Sequence, residues 1–174
     1  VGKLLQQFLE DVEWGELDYL VMDLPPGTGD AQLSLAQLIP ISGAVMVTTP
    51  QEVSIIDVEK AMAMWKRVEV PVLGVVENMS HFVCRSCGHR EDIFSTGGGR
   101  RLAEQERVPF LGEIPLDVAV RSAGDAGKPL VLAAPESPVA RVFHDLAGKV
   151  ACALSVRHQP KPGAGVRSAK LVIR

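Results

Sequence analysis

Cysteine is scarce: there are three in 174 residues. Two of them, Cys84 and Cys87, stand three positions apart, which excludes the disulfide framework of a small secreted domain and leaves a metal or redox role. Long apolar runs are missing too. Charge, Gly or Pro interrupts every hydrophobic stretch within a few residues, so the sequence contains neither a membrane-spanning helix nor a charged-then-apolar signal segment, and it reads as cytoplasmic. Nor is there an excess of basic charge. Eighteen Lys and Arg against 21 Asp and Glu give a net charge of -3, which offers nucleic acid no electrostatic footprint. Five of the bases and no acid fall between Arg157 and Arg174, leaving 13 bases against 21 acids upstream. The body, 1–156, is therefore acidic; the tail, 157–174, is basic and carries KPGAGVRSAK, which cannot pack and is expected to be disordered. An initiating Met is also absent. An amphipathic stretch (Val1, Leu4, Leu5, Phe8, Leu9, Val12) begins at once, so the sequence reads as starting inside a longer protein.

What is present is 47% apolar residues, enough at this length for one domain with its own core and too little for two. Leu17 to Asp23 is an apolar run that meets Pro25-Pro26-Gly27, through which no helix could continue, and it reads as a buried strand. Gly43 to Thr48, Val70 to Val76 and Pro109 to Ile114 are further strands. Between them lie helical patterns over Ala31 to Ile39, Gln51 to Val68 and Gly98 to Arg107. Ile55, Val58, Met62 and Trp65 line one face of the second of these and belong to the core. Ser137-Pro138 supplies an N-cap and a first-turn proline for a last helix whose apolar face is Val139, Val142, Phe143, Leu146 and Val150. Cys152 falls in the same helix as a small buried residue. Apolar strands alternating with helices define an α/β fold: a mostly parallel sheet with helices on both faces. Ligands in such sheets sit beyond the carboxyl ends of the strands, here Asp23 to Asp30, Thr48 to Glu52 and the aperiodic stretch 77–98.

Three motifs carry chemistry. Asp23 closes its strand before LPPGTGD, where an acid suits a magnesium ion and glycine amides suit a phosphate; a plain turn-forming Asp fits equally well. The phosphate loop G-x-x-x-x-G-K-[ST] is missing, since the three Gly-Lys pairs are followed by Leu4, Pro129 and Val150. Gly97-Gly98-Gly99 exposes amides at a helix start, but the better reading is a flexible joint. Cys84-Arg85-Ser86-Cys87 places two thiolates within reach of one metal, whereas zinc and iron-sulfur sites usually take four protein ligands. The other two come from His81 and His89 or from the same pair of a second subunit. The histidine route requires a sharp reversal after Cys87, and a thioredoxin-type redox pair would require a helix that the sequence does not signal. Asn78, at a strand exit, suits a purine edge or a turn.

Taken in order, DYLVMDLPPGTGD, VTTPQEVSIIDVEKA, GVVENMSHFVCRSCG, IFSTGGG and PFLGEIPLD resemble the carboxyl-terminal half of the Mrp/ApbC family, over about Val1 to Leu154. These are MinD-like P-loop ATPases that carry iron-sulfur clusters. The resemblance implies a P-loop NTPase fold lacking its phosphate-loop strand. It makes Asp23 the acid near magnesium, and Gly27 and Thr28 a switch sensing the terminal phosphate. Asn78, with the chain around Pro115 and Asp117, would contact adenine. Cys84 and Cys87 would hold a 4Fe-4S cluster bridged to the same pair in a homodimer and delivered to apo iron-sulfur proteins, with ATP binding and hydrolysis coupled to loading or delivery. Without the glycine-rich loop this chain alone is expected not to hydrolyse ATP. In the family the phosphate-loop strand lies between Leu17–Asp23 and Gly43–Thr48, so the two should stand about 10 Å apart with unpaired backbone groups rather than pair directly. Two other functions compete: a zinc-stabilised, non-catalytic module using His81 or His89, and a MinD- or ParA-like positioning ATPase with incidental cysteines. Neither membrane nor nucleic acid is expected as a partner.

Overall fold

The computed structural model describes residues 2–158. Helix α1 (Gly2–Glu10) packs on α2 (Asp30–Leu38), and β1 (Ala44–Thr48), α3 (Glu52–Arg67) and β2 (Val72–Glu77) follow. An antiparallel hairpin of β3 (Phe82–Val83) and β4 (Arg90–Glu91) comes before α4 (Gly98–Glu106) and β5 (Phe110–Glu113). The chain then forms α5 (Val118–Asp125), α6 (Leu130–Ala133) and α7 (Pro138–His158). Strands β1, β2 and β5 make a parallel sheet in that order, with β2 central.

Consecutive residues of a strand point to opposite faces, and β2 uses both. Val75 joins Met46, Ile55, Met62, Trp65 and Leu102 under α3 and α4; Val76 joins Leu111, Ile114 and Leu146 under α7. Helices therefore cover both faces, as the alternation of strands and helices required. Met62 is wholly buried and Trp65 nearly so, each where the helical spacing placed it. Ser137 caps α7 as expected, its Oγ accepting from the Ala140 amide at 3.2 Å. Among the described residues no helix is long and apolar enough to cross a membrane.

Two expectations are corrected. Leu17 to Asp23 is not a strand: it enters no ladder, Val21 is 89% exposed, and Leu17 and Tyr19 face solvent. A run of apolar residues becomes a buried strand only when a neighbouring strand satisfies its backbone groups, and β1 pairs with β2 alone. The two segments are accordingly not hydrogen-bonded to one another, but the comparison of two parted strands lapses because only one of them is a strand. Cys152 is exposed rather than buried. The inward stripe of α7 runs Val139, Val142, Phe143, Leu146 and Val150, and position 152 lies two residues past the last of these, on the other side of the helix. The predicted tail begins at Arg157, still inside α7; its remainder from 159 onward lies outside the described residues.

Candidate functional site

Register sets the site. Thr48 pairs with Glu77 and Glu77 with Glu113, so the three parallel strands end level and their exits share one edge. Glu77 is wholly buried there. Its Oε1 accepts from Ser80 Oγ at 2.7 Å and its Oε2 from the Gly99 amide at 2.6 Å. A buried carboxyl needs such partners, and these two lie at opposite ends of the long excursion between β2 and α4. Glu77 thus closes the base of that excursion. The same contact explains the glycines. A Cβ on Gly99 would lie 3.0 Å from Glu77 Cβ, and one on Gly98 would lie 2.4 Å from Ile55 Cδ1 and 2.8 Å from the Pro50 carbonyl oxygen. Close packing, rather than flexibility, selects glycine at 98 and 99. Sequence reasoning missed Glu77, although a charged residue ending the apolar run VLGVVE was the available signal.

Within the excursion, β3 and β4 hold the cysteine turn at their tip. The Cys84 amide donates to the His89 carbonyl at 2.9 Å and the Gly88 amide to the Cys84 carbonyl at 2.8 Å, with Gly88 at φ +72°, where a side chain would be strained. This folds the chain so that the amides of Cys87 and Ser86, in that order of effect, point at the Cys84 sulfur. They and the Cys87 thiol hold the Cys84 thiol below the usual cysteine range, favouring the thiolate that ligates metal. Cys87 is exposed and Cys84 partly so. No helix follows the turn, as a thioredoxin-type pair would require. The histidines do not converge on the sulfurs: His81 is turned to Glu113, its Nδ1 3.7 Å from Oε2, and His89 is exposed at the start of the return strand. Among the described residues no group of three or more His, Cys, Asp or Glu side chains is placed to hold a metal ion, so no third such side chain completes a group with the two cysteines.

The other predicted residues divide into two groups. Asn78 leaves β2 with its amide donating to the Thr48 carbonyl at 2.7 Å and its Oδ1 accepting from the Met79 amide at 2.9 Å. Pro115 and Asp117 leave β5, and Asp117 caps α5 by accepting from the Ala119 amide at 2.6 Å. These three share the sheet edge with the cysteine hairpin. Asp23, Gly27 and Thr28 are exposed, and Asp23 lies in no strand. Gln32, almost wholly buried on α2, folds this loop back by donating to the Pro25 carbonyl at 2.7 Å and the Gly27 carbonyl at 3.2 Å. It was not singled out from the sequence. Among the described residues Asp23 belongs to no group of three or more His, Cys, Asp or Glu side chains, and its exposed carboxyl does not by itself fit a magnesium ion.

A family profile described as NUBPL iron-transfer P-loop NTPase, of the ParA group, matches residues 1–151. The chain belongs to this family. Among its relatives, the iron-sulfur cluster carrier protein of Deinococcus radiodurans is 57% identical over 153 residues, 88% of this chain and 43% of that protein. The iron-sulfur cluster carrier protein of Salmonella typhimurium is 50% identical over 162 residues, 93% of this chain and 44% of the relative. This member of the family thus spans about half the length of the curated relatives it matches, or somewhat less. Among solved structures, a nucleotide-binding protein from Archaeoglobus fulgidus, in complex with ADP and with cobalt found in it, aligns at a TM-score of 0.67 and 45% identity over 73% of this chain and 52% of that one. The cell division ATPase MinD of Pyrococcus furiosus aligns at 0.51 and 30% identity over 64% of this chain and 43% of its own. The MinD-like parallel α/β fold is therefore shared.

Proposed function

We propose that the protein carries iron-sulfur clusters, and that Cys84 and Cys87 hold the cargo together with the same pair from a second copy. One observation supports this above the rest: the turn 84–89 presents two neighbouring cysteines, one of them aimed at by backbone amides, and among the described residues no third His, Cys, Asp or Glu joins them in a metal-holding group. Iron-sulfur clusters take four cysteine ligands, and a two-fold axis through the turn supplies them. The amides pointing at the Cys84 sulfur favour the anionic ligand before metal arrives, and exposure of Cys87 lets a recipient approach. The carrier names of the relatives agree, and the recipients are then apo iron-sulfur proteins.

In the whole protein we assign the nucleotide to the same sheet edge. In this reading Asn78 and the chain from Pro115 to Asp117 receive the base, with Gly27 and Thr28 as the loop toward the terminal phosphate and Asp23 as the acid on that side. Loading or delivery is coupled there to ATP binding and hydrolysis.

Histidine variants separate this reading from a zinc module. After anaerobic reconstitution with iron and sulfide, His81→Ala and His89→Ala are expected to retain the wild-type iron content and visible absorbance. Loss of metal in either variant, with zinc in the purified protein and a monomeric chain, would establish the zinc module instead.

A further inference from the structure

The chain leaving β5 runs alongside the chain leaving β2 and fastens to it step by step. The Ile114 amide donates to the Glu77 carbonyl at 2.8 Å, the Ser80 amide to the Ile114 carbonyl at 3.0 Å and the Leu116 amide to the His81 carbonyl at 2.7 Å. Phe82 and Leu116 form a parallel bridge. The last contact is made by side chains. Arg85, which stands between the two cysteines, donates from Nη2 to Asp117 Oδ1 at 2.6 Å, and the same oxygen caps α5 through the Ala119 amide at 2.6 Å. One atom therefore joins the cysteine turn to the start of a helix. The Arg85 side chain is 65% exposed and that of Asp117 is 25% exposed, so the contact is a surface ion pair of modest strength, and its effect is one of placement rather than stability.

We propose that Asp117 is a positioning residue for the cysteine pair: through Arg85 it ties the turn to the amino-terminus of α5, so that a displacement of α5 moves the two sulfurs. The contact stands on the geometry alone, while its consequence for cargo rests on the reading of Cys84 and Cys87 as ligands. Asp117→Asn isolates it, because Asn caps a helix about as well as Asp but does not offer Arg85 a charge.

The test is amide hydrogen exchange on the full chain, with cobalt(II) titration beside it. Asp117→Asn and Arg85→Ala are each expected to speed exchange at the Cys84 and Gly88 amides about two- to five-fold. The first turn of α5 should keep its protection in Asp117→Asn, and Arg85→Lys should recover part of the effect. The double variant should exchange no faster than either single one, since both remove the same contact. Cobalt bound through thiolates should weaken by a similar factor in both single variants. Unchanged exchange in Asp117→Asn, or effects that multiply in the double variant, would overturn the proposal. Absence of a thiolate-to-cobalt band in the wild type would count against the ligand reading, and the exchange result would still decide whether Asp117 places the turn.

Discussion

Cys84→Ser and Cys87→Ser are each expected to abolish the visible absorbance of the reconstituted protein and its dimer together. Across a two-fold axis each substitution removes two of four sulfurs, the described residues offer no further group of ligands to compensate, and a serine hydroxyl is a harder and far less acidic ligand than a thiolate. Iron retention should fall by more than the roughly 10–100-fold that loss of an outer-shell partner costs a metal site. Cys152→Ser is the control. That cysteine is exposed on α7, which packs on β5 and β2 rather than on the hairpin, and its replacement should leave iron content unchanged. Iron analysis with size-exclusion chromatography under anaerobic conditions reads both outcomes.

Glu77→Ala is expected to have the largest effect on stability. It leaves the buried Ser80 hydroxyl and Gly99 amide without their acceptor, each worth about 1–3 kcal/mol, and opens a void beside Thr48 and Gly99. The two together, about 2–6 kcal/mol before the void is counted, are a large share of the roughly 5–15 kcal/mol by which a domain is stable. Glu77→Gln should cost less, about 1–3 kcal/mol, since its carbonyl oxygen still accepts one bond while its amide nitrogen cannot accept the other. Urea unfolding measures both. If both variants unfold at the wild-type midpoint, Glu77 is not what closes the base of the cysteine excursion.

These contacts mark where sequence reading succeeds and where it stops. The three strands of the sheet, the core positions Met62 and Trp65 and the cap at Ser137 were legible because periodicity and capping act over a few residues. The cysteine pair was legible from spacing alone, but its hairpin was not: β3 and β4 are each two residues long, too short for an alternating pattern. Leu17–Asp23 misled for a physical reason, since composition reports a segment's fitness for a strand and not whether a neighbour exists to pair with it. Glu77, Gln32 and the Arg85–Asp117 pair escaped because their partners are set by tertiary placement; Gly99 lies 22 positions from Glu77, and Asp117 lies 32 from Arg85. The short helices α5 and α6 were likewise absent from the sequence reading, although Asp117 caps the first of them in the ordinary way.

The bridging arrangement is tested most directly by native mass spectrometry of the wild-type chain reconstituted with iron and sulfide, read beside its iron content. The expected species is two chains carrying one cluster, falling to single, iron-free chains when the metal is chelated. A single chain holding its full complement of metal, or a dimer that persists without iron, would contradict it.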